Sequence, residues 1–219
     1  PDSIGDAKAA KLHVDKGLAI ARRLAEREPR RLDVRRQLYL TLDNASSFYN
    51  TQGLRDQSIP MTEEGVRAAA ETLRLFPNDM DAKRDSARSH YVLGFTYLRS
   101  RDHLEQGKAE MKASLEAWKT VLAGAPDDKI TLQELAKCNN SLGSVSFQAQ
   151  DYGKAREHFG EALRLNRIIS VRFPGNEEPL AFALGQVATV ASVRNDFPEA
   201  LKMFGEQLEL RKAVHERQP

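Results

Sequence analysis

With one cysteine in 219 residues, Cys138, the chain can form no internal disulfide. That usage fits a reducing compartment, and a cytoplasmic location is expected. Long apolar runs are missing too: none approaches the roughly 18 residues that a membrane-spanning helix needs. A basic surplus is also absent. The 33 Lys and Arg face 31 Asp and Glu, a net charge of +2, which argues against a dedicated nucleic-acid binder. The glycine-rich phosphate loop, the HExxH zinc motif, the CxxC pair and the GxSxG nucleophile elbow do not occur. His13, His90, His103, His158 and His215 are scattered along the chain, so no metal site is expected. Neither a cofactor nor an enzymatic activity is expected. No period-2 runs of β-branched residues appear, so no strands are predicted.

What the chain does have is repetition. Pro29, Pro77, Pro126, Pro174 and Pro219 are separated by 48, 49, 48 and 45 residues. A fixed period in this range marks a repeat array. Nineteen residues before each proline a small–large–small pattern recurs: Ala155, Phe159 and Ala162; Ala10, Val14 and Gly17; Gly107, Met111 and Ser114; Ala200, Phe204 and Gln207. Spacings of four and three put these residues on one helical face, where small side chains let two helix backbones approach. The segment ending at Pro77 fits worst, with Ser58, Thr62 and Gly65 in these places. A second series of small anchors, Ser46, Gly94, Gly143 and Ala188, marks a preceding helix in each repeat.

First-type helices are predicted over roughly 32–52, 79–101, 129–150 and 178–195, and second-type helices over roughly 6–28, 59–75, 104–124, 152–172 and 198–217. Gly53, Asp102, Asp151 and Asn195-Asp196 supply turn and N-cap chemistry. Pro198 suits a first helical turn, and Pro60 predicts a late start for its helix. Glu63-Glu64 and Asp127-Asp128 are read as helix-start acids interacting with the helix dipole. Trp118 is read as core, in series with Met111, Leu115 and Leu122. The result is a single array over 1–219: a half repeat (1–29) and four helix pairs (30–77, 78–126, 127–174 and 175–219).

The stretch Leu142-Gly143 through Asp151-Tyr152, Ala155, Phe159 and Ala162-Leu163 resembles a tetratricopeptide repeat without a gap. Asn195 through Phe204 repeats its second half, and Leu93-Gly94 with Tyr97 its first. The resemblance implies an all-α fold, an α-α superhelix of about nine helices. The usual period is about 34 residues; here both helices of each repeat are longer. Comparable long repeats occur in multidomain bacterial signalling proteins.

In that family the first helix of each pair lines a concave face, which binds proteins or peptides. Carried over, the resemblance implies groove residues Asp43, Ser47 and Asn50 in repeat one, and Arg88, Tyr91, Phe95 and Arg99 in repeat two. It adds Lys137, Asn140, Ser144, Phe147 and Gln148 in repeat three, and the small residues Gly185, Thr189 and Ser192 in repeat four. Cations beside aromatics suit a partner bearing carboxylates. The competing reading leaves these residues merely exposed between repeats, with Tyr91 and Phe147 partly buried by neighbours. The family's clamp for C-terminal carboxylates is not reproduced.

The leading functional expectation is therefore a protein- or peptide-binding scaffold with an acidic partner. The alternative is the sensory or regulatory arm of a larger signalling enzyme, such as a bacterial protein kinase. Pro1 is not an initiating residue, which predicts a piece of a longer protein. Ala200, Leu201, Phe204, Leu208 and Val214 are expected to expose an apolar face on the last helix, leading to further repeats or to end-to-end self-association.

Overall fold

A computed structural model describes residues 3–175 and 177–217. These form nine α-helices: α1 (Ser3–Arg27), α2 (Leu32–Thr51), α3 (Arg55–Leu75), α4 (Met80–Leu98), α5 (Leu104–Gly124), α6 (Lys129–Gln148), α7 (Tyr152–Arg172), α8 (Glu177–Val193) and α9 (Phe197–Arg217). Among the described residues there is no strand. Within α1–α4 and within α6–α9 each helix packs mainly on its neighbours in sequence. The chain divides into two compact units, one through Ala117 and one from Trp118, with the boundary inside α5.

The turns follow from local chemistry. Asp79, Asp128 and Asp151 each cap a helix, accepting from the backbone N–H three residues on. Gly53 (φ +73°) and Asn195 (φ +62°) take the left-handed conformation that ends α2 and α8. Pro198 lies in the first turn of α9, where its missing N–H is harmless.

One helix start differs from the sequence expectation. α3 begins at Arg55, so Pro60 lies inside it. The Ser58 hydroxyl donates to the Ser46 carbonyl of α2 at 3.1 Å, so a buried tertiary bond holds the first turn in place despite the proline. Glu63 and Glu64 are consequently well inside α3, and the helix-dipole role expected for them is wrong. Glu63 instead accepts from the Tyr97 hydroxyl at 2.6 Å, and Glu64 pairs with Arg22 of α1. Asp128 is the cap of α6, while Asp127 pairs with Arg172.

In the unit through Ala117 the small anchors act as spacers. A methyl group at Gly94 would lie 2.9 Å from the Met111 nitrogen and 3.1 Å from the Gly107 carbonyl oxygen, so α4 and α5 touch backbone to backbone. Tyr49 donates to Asp15 of α1 at 2.5 Å, and Tyr97 makes the equivalent bond to Glu63 of α3, both across 34 residues. Where the pattern is weakest, at Thr62 and Gly65, a small gap of about 10 Å³ remains beside Tyr39.

In the unit from Trp118 the pattern is best filled. Ala155, Phe159 and Leu163 of α7 pack with Leu180, Ala183, Leu184 and Val187 of α8 in one apolar cluster. Phe159 is 2% exposed, and burying such a ring contributes about 2–3 kcal/mol. Trp118 is core, as its spacing implies. On α9, Leu201, Phe204 and Leu208 are exposed as expected, but Ala200 is buried and Val214 half-buried.

Candidate functional site

The α2 and α4 helices position the candidate site in the unit through Ala117. Leu42, Ala45, Ser46 and Tyr49 bury one face of α2. Ser86, Ala87, Ser89 and Gly94 do the same for α4, and the Ser114 hydroxyl of α5 bonds the Ala87 carbonyl at 2.7 Å. With those faces fixed, residues one position further on, such as Asp43, Ser47, Asn50, Arg88 and Phe95, are turned by about 100° into the space between the two helices.

That space is a cavity of about 530 Å³. Asp43, Ser47, Asn50, Arg88, Tyr91, Phe95 and Arg99 all line it, so the structure brings together every groove residue read from repeats one and two. Tyr91 stacks on Phe95 with ring centres 6.2 Å apart and planes inclined by 13°. The Arg99 guanidinium lies 5.6 Å from the Phe95 ring centre, within cation–π range. Among the described residues Arg99 makes no ion pair. The three form a ladder along α4 of ring, ring and cation.

Polar rungs join the two walls. Arg88 meets Asp43 at 3.2 Å. Arg36 meets Asp81 and Asp85, each at 2.6 Å, and Asn50 reaches Thr96 at 3.5 Å. Burial raises the pKa of Asp43, and Arg88 offsets this only in part. Asp85 is likewise raised by burial, with Arg36 opposing. Ser46, Thr51, Val92 and Thr96 complete the lining. They sit one turn from the expected residues, which is the signal that could have found them.

The unit from Trp118 distributes its expected residues differently. Lys137 and Asn140 line a second cavity of about 430 Å³ with Asn166, Glu178, Pro179 and Phe182. Ser144 bonds back to the Asn140 carbonyl within α6. Phe147 packs edge-on against Tyr152 at the margin of the apolar cluster, and Gln148 is exposed at the end of the helix. None of these three lines either cavity. Gly185 is a packing position: the Gln207 amide fills the place of its missing side chain and donates to the Ala181 carbonyl at 2.7 Å. Thr189 is exposed and bonds back to the Gly185 carbonyl. Phe182, half exposed, stands six residues before Ala188, the offset that gave Arg88 from Gly94 and Lys137 from Gly143; it was missed because that offset was not carried into repeat four.

Three histidines make contacts between helix elements. His90 faces Glu110 at 2.6 Å, His103 stacks on Tyr97, and His158 meets Asn139. Among the described residues no group of three metal-ligating side chains assembles, and no helix is long and apolar enough to cross a membrane.

Solved structures share this architecture. BtubC (BKLC) from P. vanneervenii is 16% identical with a TM-score of 0.54, over 97% of this chain and 94% of that one. A structure of MamA is 18% identical with a TM-score of 0.51, covering 99% of both chains. A MamA RS-1 double mutant is 16% identical with a TM-score of 0.53, over 98% of this chain and 97% of that one. At these identities the likeness carries the fold alone, the tetratricopeptide-type α-α superhelix. No protein-family model and no curated protein sequence matches the chain.

Proposed function

We propose, on the premise of this tetratricopeptide-type fold, that the chain is a protein-interaction scaffold whose groove between α2 and α4 takes an acidic peptide segment. The observation that carries the reading is the ladder Tyr91–Phe95–Arg99. Two stacked rings offer rigid apolar area, and the guanidinium aligned on them has no counter-charge among the described residues. Arg88 supplies a second cation one turn before Tyr91, held by Asp43 until a partner carboxylate competes for it. Nothing in the structure favours the alternative of a regulatory arm on a larger signalling enzyme.

The test is a binding titration against acidic peptides, by fluorescence anisotropy. Arg88→Glu with Arg99→Glu is expected to weaken binding strongly. The matched pair Arg74→Glu with Arg164→Glu removes the same charge from exposed positions outside the cavity, where each arginine only pairs within its own helix. Equal and negligible effects of the two pairs would sink the proposal.

A further inference from the structure

α9 carries an apolar stripe that the groove does not use. Phe197, Leu201, Phe204 and Leu208 recur at i, i+4, i+7 and i+11 on one face, and they are 58%, 74%, 43% and 54% exposed. Exposure alone names no occupant. Two independent observations do.

The first is an internal template. Phe159 and Leu163 of α7 stand at the repeat positions that Phe204 and Leu208 occupy in α9, 45 residues later. They are 2% and 6% exposed: α8 packs in one cluster with them through Leu180, Ala183, Leu184 and Val187, and Phe159 also lies against Gly143 of α6. At Phe204 and Leu208 this face therefore accepts an antiparallel helix with apolar residues at i, i+3, i+4 and i+7, and Leu201, where α7 carries Arg156, extends the apolar area beside it.

The second is charge. Towards its C-terminus the stripe runs into Arg211 and Lys212, both exposed. Three of the four helices that follow second-type helices open with acids, Asp33 in α2, Asp81 in α4, and Glu177 with Glu178 in α8, and the fourth, α6, is capped by Asp128. An antiparallel helix of that kind would set its acidic first turn beside Arg211 and Lys212. On the other side of α9, Glu199 is held by Arg156 and Glu206 by Arg167, so docking on the stripe buries neither acid.

We propose that this face of α9 docks an amphipathic helix of a partner protein, one with α8-like apolar spacing and an acidic first turn. A second copy of this chain fits less well. The other exposed apolar helix face, Leu12, Ile20 and Leu24 of α1, is flanked by Lys16, Arg23 and Arg27, which would meet like charges.

The probe is a labelled synthetic peptide carrying the α8 sequence, residues 177–193, added to the folded 219-residue chain. Saturable binding is expected. Leu201→Glu, at a position already three-quarters exposed, should abolish it without changing helical circular dichroism. Arg211→Glu with Lys212→Glu should weaken it by about tenfold, and a peptide with both leading glutamates changed to lysine should recover the loss. Arg88→Glu with Arg99→Glu should leave it unchanged, which separates this surface from the groove. Absence of binding, or binding indifferent to Leu201→Glu, would overturn the proposal. A concentration-dependent dimer in sedimentation, abolished by Leu201→Glu, would also overturn it and assign the face to a second copy.

Discussion

The Arg88 guanidinium reaches from α4 to within 3.2 Å of the Asp43 carboxylate on α2, and the two differ sharply in burial: the Asp43 side chain is 13% exposed and that of Arg88 56%. Desolvation outweighs the ion pair, so the Asp43 pKa stands above the usual 3.8. A raised folded-state pKa means that the contribution to stability is fully present below 3.8 and lost as pH rises through the folded value. Asp43→Asn removes that dependence. Unfolding midpoints in urea between acidic and neutral pH should shift in favour of the variant as pH rises. A constant difference across the range would refute the account.

Tyr97 gives the same sign at the alkaline end. Burial, aided by the Glu63 carboxylate, pushes its phenol from 10.0 up to about 12. The stabilisation it provides is intact below pH 10.0 and disappears as pH climbs through about 12. Ultraviolet titration should show one tyrosine ionising last, absent from Tyr97→Phe. That variant is also expected to lose about 1 kcal/mol at neutral pH, the net worth of one hydrogen bond.

Two glycines should respond oppositely to the same substitution. At Gly143 a methyl group would lie 2.6–3.0 Å from the Phe159 ring, inside the α6–α7 contact. Gly143→Ala is therefore expected to cost about 2 kcal/mol through overpacking, although alanine is the better helix former. At Gly160, where nothing lies within 4 Å, the helix preference acts alone and Gly160→Ala should gain about 0.5–1 kcal/mol. Chemical denaturation of both variants decides the matter; a gain at Gly143 would contradict the close approach.

The gap beside Tyr39 offers a repair. A methyl group at Gly65 would meet Leu42 and Tyr39 at 3.9 Å, ordinary van der Waals contact. Gly65→Ala should raise stability by about 1 kcal/mol, combining helix preference with partial filling of the gap. The expected readout is a higher urea midpoint with an unchanged slope.

The repeat was legible because its cause is local. Proline spacing, capping aspartates and small–large–small faces are written in sequence order, and they located all nine helices. Pro60 misled because a residue read alone signals a helix start, whereas the Ser58–Ser46 bond comes from another helix. Glu63 and Glu64 were misread for the same reason: their partners, Tyr97 and Arg22, lie 34 and 42 residues away. Gly185 looked like a groove residue by offset, but the Gln207 amide claims its space from α9. At the candidate site, the repeat register identified seven residues that converge on one cavity.

By itself the sequence determined the class of structure and the register of each helix, because helix periodicity and capping depend on neighbours a turn or two away. It also placed cations and aromatics together on α4, since Arg88, Tyr91, Phe95 and Arg99 share one face at helical spacing. Only the tertiary structure decided what each face meets. Packing gave Arg88 a largely buried partner in Asp43 and left Arg99, on Phe95, with no ion pair among the described residues. It also buried Phe159 and Leu163 under α8, while exposing Phe204 and Leu208 at the same positions of α9. The same residues in the same pattern become core or docking surface according to whether another helix lies against them, and no local preference encodes that.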